Sequence, residues 1–152
     1  KLDEKGVELL GCEKTRQIIS IGKADEEDWK TEYLDYKLSI RVVNDIYQAI
    51  QHINTYGSGH TDSIITRNKE AAEMFMNLVD SGNVFWNCST RFSDGFRYGF
   101  GAEVGISTNK IHARGPVGLD GLVIYKYKLI GNGHIVDDYA TGKRTFKHIR
   151  VK

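Results

Sequence analysis

The chain has 152 residues, of which 40% are hydrophobic and 27% are charged, and this composition suits one globular domain with its own core. Its formal net charge is +1, and Lys and Arg are scattered among Asp and Glu, which argues against a nucleic-acid partner. No apolar run approaches the roughly 18 residues that a membrane-spanning helix needs, so we expect no membrane partner.

The cysteines and histidines do not form a recognisable disulfide or metal pattern. Cys12 and Cys88 are the two cysteines, and neither lies in a CxxC pattern. Two cysteines in a chain of this length favour a reducing compartment, and we expect a cytoplasmic protein. The five histidines lack ligand-like spacing, so no metal site is predicted.

The first 36 residues give only short signals. The stretch "GVELLG" (6–11) predicts a strand, and "EKTRQII" (13–19) predicts a helical turn. The acidic stretch "GKADEEDWKTEYLD" (22–35) has no clear period and is predicted to be a loop.

Strand-like and helix-like segments alternate in the middle of the chain. The β-branched stretch "KLSIRVV" predicts a strand, and the following helix can be capped by Asn44 or Asp45. A second helix can be capped by Asn68 and stop near Gly82. Such alternation implies an α/β fold with parallel strands and flanking helices. We predict strands at 37–43, 63–66 and 83–87, and helices at 45–55 and 69–80.

The last third of the chain predicts an edge element and a polar tail. The stretch "LVIYKYKLIG" (122–131) alternates apolar residues with lysine, which predicts a long strand. The "NG" at 132–133 is a hairpin turn signal, and "HIV" (134–136) could begin a return strand. The tail from Asp137 onward is expected to be loosely held.

The segment 87–107 is the candidate ligand-binding region. In open parallel sheets, ligands bind beyond the carboxyl ends of the strands, and this segment follows the third predicted strand. Ser89, Thr90 and Arg91 offer donors for carboxylate or phosphate oxygens. The alternative is a glycine-rich surface loop with unrelated polar groups. The G-x-G-x-x-x-G stretch here departs from the dinucleotide pattern and gives no support for a Rossmann site.

Four ordered stretches resemble one enzyme family. They are "DWKTEYLDYKLSIRVV", "AIQHINTYGSGHTDSIIT", "VFWNCSTRFSDG" and "YGFGAEVGISTNKIHARGPVGL". Together they resemble the γ-glutamyl phosphate reductases, also called glutamate-5-semialdehyde dehydrogenases, of the aldehyde dehydrogenase superfamily. The resemblance covers roughly residues 6–136, and the remaining tail is expected to be a eukaryotic extension.

The resemblance implies an oxidoreductase of proline biosynthesis. Its reaction is the NADPH-dependent reduction of γ-glutamyl phosphate to glutamate 5-semialdehyde through a cysteine thioester. Residues 1–121 would form the carboxyl-terminal part of the catalytic domain, and 122–152 an oligomerisation strand and tail. The implied partners are the small-molecule substrate and further copies of the chain. A mitochondrial location would apply to a fused animal-type synthase.

The nucleophile of the resembling family lies in a "GNTCNA"-like motif that this sequence lacks. Cys88 stands where the family usually has alanine, and Cys12 matches no functional position. We therefore expect no catalytic residue in this chain and no activity from it alone. The alternative is a non-catalytic, dehydrogenase-derived module for oligomerisation or binding.

The resemblance also implies binding residues. Glu32 is the candidate for the cofactor's ribose hydroxyls, although an ordinary exposed loop carboxylate is the alternative. Arg91 is the leading substrate candidate, and a structural salt bridge is the alternative. The substrate-binding candidates are Asn87, Ser89, Thr90 and Arg91, supported by Gly105, Ile106 and Ser107 from the return loop.

Overall fold

Three small β-sheets and four α-helices make up the regular structure of the described residues, 1–110, 112–130 and 132–149, in the computed structural model. The strands are β1 Glu8–Gly11, β2 Gly22–Lys23, β3 Lys37–Ile40, β4 Thr61–Ile64, β5 Asn83–Trp86, β6 Gly105–Ser107 and β7 Gly115–Val117. The helices are α1 Glu13–Ile18, α2 Ile46–Tyr56, α3 Lys69–Leu78 and α4 Val136–Ala140. None of the helices in these ranges has the length and apolar character needed to cross a membrane.

The first sheet is parallel, with strand order β2-β1-β3. Leu9 pairs with Leu38, and Leu10 pairs with both Gly22 and Ser39. The predicted strand at 6–11 and the helical turn after it are confirmed. The predicted loop at 22–35 instead begins with the short strand β2 and contains a 3-10 turn at Glu27–Trp29.

The second sheet pairs β4 with β5 in parallel, with α3 as the connection between them. Helix α2, which precedes β4, and helix α3, which precedes β5, both begin at a polar capping residue. Asp45 accepts a hydrogen bond from the Gln48 amide, and Asn68 accepts one from the Ala71 amide.

The buried core lies where α2 and α3 pack against this second sheet. Its centre is the cluster of Ile50, Phe75 and Val79, each of which is at most 6% exposed. Partly buried side chains from α2 and from β4 and β5 complete it. The core therefore fixes the positions of the residues that precede β4 and follow β5.

The parallel α/β fold is confirmed, but the three predicted strands do not form one ladder. β3 ends at Ile40 and takes its hydrogen bonds from β1, whereas β4 and β5 pair only with each other in the described part. Arg41 leaves the strand and directs its guanidinium to His52, 2.8 Å from the ring nitrogen Nδ1. The predicted helix at 69–80 ends at Leu78, which is half exposed.

The carboxyl-terminal part contains an antiparallel element, although not at the predicted place. β6 and β7 pair around Ile106 and Pro116. Residues 123–130 form no strand, because no neighbouring strand among the described residues supplies the hydrogen bonds, and Gly131 lies outside the described residues. The predicted return strand is also wrong, since α4 begins at Val136.

The first residues after α4 contact the helix through Lys143 and Arg144. Asp138 is buried on α4, and its carboxylate accepts a hydrogen bond from Lys143 Nζ at 3.1 Å. Arg144 Nε lies 3.4 Å from the other carboxylate oxygen. A buried carboxylate needs such partners, so these cations bring residues 143 and 144 against the helix.

Candidate functional site

The chain reverses direction after β5 at Asn87. This residue has a positive φ of 54°, and its side chain makes two hydrogen bonds with the backbone of Thr66. Asn87 Oδ1 accepts from the Thr66 amide and Asn87 Nδ2 donates to the Thr66 carbonyl, each at 2.8 Å. Ser63 Oγ then donates to the Cys88 carbonyl at 2.8 Å, so the returning segment runs alongside β4.

The reversal creates a cavity of about 490 Å³, which we name the arginine cavity. Four predicted site residues line it, namely Glu32, Thr90, Arg91 and Ile106. The other lining residues were not predicted from the sequence, and they are His60, Thr61, Ser93, Asp94, Arg97 and Glu103.

The arginine cavity does not lie where the sheet rule predicts. His60 and Thr61 stand at the amino end of β4, whereas we expected a site beyond the carboxyl ends of the strands. The turn at Asn87 sends the chain back along β4, so Thr90 and Arg91 line a cavity at the amino end of that strand, and a site beyond the carboxyl ends stays a prediction. Asparagine adopts the left-handed region more readily than most residues, so Asn87 itself was the sequence signal for such a turn.

Arg91 is the cation of the cavity that is available to a ligand. Among the described residues, no salt bridge or side-chain hydrogen bond involves its guanidinium, so the structural ion pair considered for it is not observed. Arg97 is engaged instead, because its NH1 donates to the Arg91 carbonyl at 2.5 Å and lies 3.4 Å from Asp94 Oδ2. Glu103 accepts the Gly95 amide at 2.7 Å. Arg91 therefore offers an uncommitted planar donor.

The remaining predicted substrate residues do not line the arginine cavity. Asn87 is engaged with Thr66, and Ser89 accepts the Arg91 amide at 3.2 Å. Ser107 Oγ accepts a hydrogen bond from the Asn109 amide at 3.2 Å. Gly105 is the first residue of β6. The structure thus gives these four residues local backbone roles.

A second cavity of about 630 Å³, which we name the aromatic cavity, adjoins the first. The two share Glu32, His60, Thr61 and Ile106, and the second adds the rings of Trp29 and Tyr56. Glu32 is exposed, and its carboxylate has no hydrogen bond or salt bridge within the described residues. It therefore stands between the two cavities with its acceptor oxygens available.

The loop that presents Glu32 is held by Asp28. The Tyr33 hydroxyl donates to Asp28 Oδ1 at 2.6 Å, and Ser39 Oγ donates to the Asp28 carbonyl at 3.3 Å. The bond from Tyr33 lowers the pKa of Asp28, while burial and the same bond raise the pKa of Tyr33 to about 12. The tyrosine thus stays protonated and keeps its bond to Asp28 within the loop, while the Ser39 hydroxyl joins the loop to β3.

Neither of the two cysteines lines these cavities. Cys88 is half-buried and lines neither cavity. Cys12 precedes α1, where burial acts to raise its pKa but hydrogen bonds from Thr15 and the Val42 amide prevail and bring the pKa to about 7. Neither thiol therefore belongs to the wall of the cavity that Arg91 lines.

Comparisons with known proteins agree with the resemblance found in the sequence. The chain is 77% identical over 150 residues to the gamma-glutamyl phosphate reductase of Acetivibrio thermocellus, and 73% identical over 150 residues to that of Pelotomaculum thermopropionicum. Each match covers 99% of this chain and 35% of the relative, so this chain spans about a third of their length. These bacterial matches include nearly the whole tail, so its prediction as a eukaryotic extension is wrong.

The fold of this chain is similar to that of a solved protein with the same name. The crystal structure of gamma-glutamyl phosphate reductase from Thermotoga maritima superposes with a TM-score of 0.82 at 50% identity, covering 88% of this chain and 33% of that one. The model of the aldehyde dehydrogenase family matches residues 23–105, which is more than half of the chain and includes Glu32 and Arg91. The chain therefore belongs to the aldehyde dehydrogenase family.

Proposed function

We propose that this chain is part of a γ-glutamyl phosphate reductase. The whole protein would catalyse the NADPH-dependent reduction of γ-glutamyl phosphate to glutamate 5-semialdehyde in proline biosynthesis. The main support is that Glu32 and Arg91, predicted to bind cofactor and substrate, line one cavity in a chain highly similar to proteins of that name.

The arginine cavity suits the anionic end of such a substrate. γ-Glutamyl phosphate bears a carboxylate and a phosphate, and a planar guanidinium binds either through two parallel hydrogen bonds. Arg91 is exposed and uncommitted among the described residues, and the Thr90 hydroxyl beside it can donate to the same group. These two residues are our leading candidates for substrate contact.

The residues around Glu32 fit a nicotinamide cofactor, which membership of the family implies. A carboxylate with no partner can accept hydrogen bonds from two ribose hydroxyls, and the rings of Trp29 and Tyr56 offer flat apolar walls nearby. NADPH is the specific form that we propose, and it would supply the hydride when bound. Glu32 would fix the position of the cofactor between the two cavities.

The cysteine nucleophile would come from a part of the protein outside this chain. Its thiolate would attack the acyl carbon, phosphate would leave, and the resulting thioester would be reduced. Neither Cys12 nor Cys88 lines either cavity, which supports this division. Arg91 would hold the leaving phosphate or the carboxylate during these steps.

Residues 122–152 are proposed as an oligomerisation segment that follows the catalytic part, 1–121. Ile124 and Ile130 are each 95% exposed and Leu129 is fully exposed, so this segment presents apolar side chains that a second copy of the chain could cover. A homo-oligomer is the proposed assembly. We also propose a cytoplasmic location, as expected of a bacterial biosynthetic enzyme.

The test is an assay of the complete protein in the reverse direction, with glutamate semialdehyde, inorganic phosphate and NADP⁺. We expect NADPH absorbance to rise only when all three are present, and the 152-residue chain alone to give no rise. No turnover by the complete protein would refute the proposal and leave the non-catalytic module as the alternative.

A further inference from the structure

Two side chains outside the aromatic cavity contact the rings of Trp29 and Tyr56 that line it, which we call the wall rings. One is Arg41, which follows β3, and the other is His52 on α2. The Arg41 guanidinium carbon lies 5.5 Å from the centre of the Trp29 ring. The centre of the His52 ring lies 5.6 Å from that of Trp29 and 4.8 Å from that of Tyr56. His52 therefore contacts both wall rings, and Arg41 covers a face of one of them.

The hydrogen bond between Arg41 and His52 determines the protonation state of the ring. Arg41 NH1 lies 2.8 Å from His52 Nδ1. A guanidinium has donors and no acceptor, so Nδ1 must accept this bond. In the neutral ring the hydrogen therefore resides on Nε2. A doubly protonated ring has no acceptor left, so protonation of His52 removes the bond and places two cations side by side.

The groups that face His52 keep it neutral at pH 7. They are Arg41 from the end of β3, Glu26 from the loop before β3 and Tyr56 from the next turn of α2. Burial and then the charge of Arg41 lower the pKa of His52 below its ordinary value, while the charge of Glu26 acts in the opposite direction. The bond from Arg41 is therefore present at neutral pH. It is lost as the pH falls through that lowered pKa, below about pH 6.5.

The pair joins the two parts of the fold that carry the wall rings. Trp29 ends the 3-10 turn in the loop before β3, and Tyr56 is the last residue of α2. Arg41 extends from the end of β3 to His52 on α2, so its hydrogen bond connects the first sheet to this helix. A second connection comes from the Tyr56 hydroxyl, which donates to the Glu26 carboxylate. The wall rings are thus held from both elements.

From this geometry we infer that Arg41 and His52 are positioning residues, which hold Trp29 and Tyr56 in place as the wall that the nicotinamide cofactor contacts. The inference rests on the proposed function and deepens it, because it names residues that determine cofactor affinity. Both residues act through the wall rings and not by contact with the cofactor. Protonation of His52 removes one of the two connections, so acid should weaken cofactor binding.

Binding of NADP⁺ to the complete protein, measured by calorimetry at about pH 7.5 and about pH 5.5, tests this role. The compared quantity is the Kd at the lower pH divided by the Kd at the higher pH. In His52→Asn, the amide oxygen replaces Nδ1 as an acceptor for Arg41 and does not titrate. We expect the ratio to be about five-fold larger in the unmodified protein than in His52→Asn, since only the former loses a hydrogen bond in acid. Titration of the cofactor's own phosphate affects both proteins equally and cancels.

Two further variants test the pair and provide the control. Arg41→Leu should raise the Kd for NADP⁺ at about pH 7.5 about five-fold, and Arg41→Lys should recover part of this loss because it keeps a charged donor. His112→Asn changes an exposed histidine outside both cavities and is the matched control for His52→Asn. It should keep the ratio of the unmodified protein.

Nitrogen NMR of the ¹⁵N-histidine-labelled complete protein tests the pair without cofactor. We expect the His52 signals, assigned by their loss in His52→Asn, to show hydrogen on Nε2 at neutral pH and a protonation midpoint below about pH 6.5. Arg41→Leu should raise this midpoint, because it removes a neighbouring positive charge. It should also give a mixture of tautomers, because Nδ1 loses its donor.

The two proposals fail in different ways. A complete protein that shows the expected Kd ratio and the Nε2 tautomer but no reductase turnover refutes the reductase function and supports the positioning role. An active reductase in which the hydrogen lies on Nδ1, or in which His52→Asn and the unmodified protein give the same ratio, refutes the positioning role and leaves the reductase function intact.

Discussion

Glu32 and Arg91 line the same cavity, although Glu32 lies in the loop before β3 and Arg91 follows β5 in a different sheet. Neither side chain has an ionic partner among the described residues. A carboxylate and a guanidinium that share a cavity without pairing are available to two different groups of bound molecules. This arrangement leads to separate predictions for the cofactor and for the substrate.

Replacing Glu32 should affect the cofactor. In the complete protein, we expect Glu32→Gln to raise the KM for NADP⁺ about ten-fold, because a charged acceptor for the ribose hydroxyls is lost. The KM for the semialdehyde should change little. Glu27→Gln, which alters a carboxylate of the same loop that pairs with Lys30, is the control. If both variants retain wild-type kinetics, Glu32 is an ordinary loop carboxylate.

Replacing Arg91 should affect the anionic substrate. We expect Arg91→Ala in the complete protein to raise the substrate KM at least about ten-fold, with Arg91→Lys intermediate because it keeps the charge and loses the two-pronged geometry. The melting temperature should be nearly unchanged, since the guanidinium has no structural partner in the described part. Arg67→Ala, on an exposed arginine outside both cavities, is the control. Wild-type kinetics combined with a melting temperature several degrees lower would show a structural role.

The first three helices and most strands of the described residues follow from local sequence signals. The periodic apolar residues of α2 and α3 and the caps Asp45 and Asn68 place both helices within about two residues of their observed ends. The strand predicted at 122–131 is not formed in residues 123–130. Alternation shows that a segment can form a strand, but it does not show whether a neighbouring strand is present to pair with it.

The candidate site was only partly predictable for a similar reason. Resemblance placed Glu32 and Arg91, but His60 and Thr61 line the same cavity only because the segment after β5 turns back along β4. That contact depends on the pairing of β4 with β5 in three dimensions, which no local pattern in "GSGHTD" reports.

The core between α2 and α3 should be sensitive to truncation of Phe75. Phe75 is 4% exposed and forms the buried cluster together with Ile50 and Val79. We expect Phe75→Ala to lower the free energy of unfolding by about 3–5 kcal/mol, from lost burial and the cavity left behind. Leu78→Ala, at a half-exposed position of the same helix, should cost only about 1 kcal/mol. Denaturant titration of the complete protein measures both, and equal losses would contradict the proposed core.

The Cys12 thiol should be reactive near neutral pH. Because its pKa is lowered from 9.0 to about 7, the thiolate fraction rises through pH 7 and is nearly complete by about pH 8. We expect the iodoacetamide labelling rate of Cys12, followed by mass spectrometry, to reach half its maximum near pH 7. Thr15→Val should move this midpoint to higher pH, since it removes a hydrogen bond to sulfur. A midpoint near pH 9 in the unmodified chain would contradict the assigned hydrogen bonds.

The turn at Asn87 should control where Arg91 lies. Asn87 combines a left-handed backbone with two hydrogen bonds to Thr66, and the two contributions can be separated by substitution. Asn87→Gly loses the hydrogen bonds but tolerates positive φ, whereas Asn87→Ala loses them and adds a backbone cost of about 1–2 kcal/mol. We therefore expect the alanine variant to melt lowest and the glycine variant to be intermediate.

Kinetics of these same variants distinguish a turn residue from a substrate contact. If Asn87 acts through the turn, kcat/KM for the semialdehyde should fall together with the melting temperature, because Arg91 is displaced when the returning segment loosens. The fall should then be larger for Asn87→Ala than for Asn87→Gly. If Asn87 instead binds the substrate directly, the two variants should raise the substrate KM equally, whatever their stability. Equal KM changes would show that Asn87 contacts the substrate and that its hydrogen bonds with Thr66 are of less importance for activity.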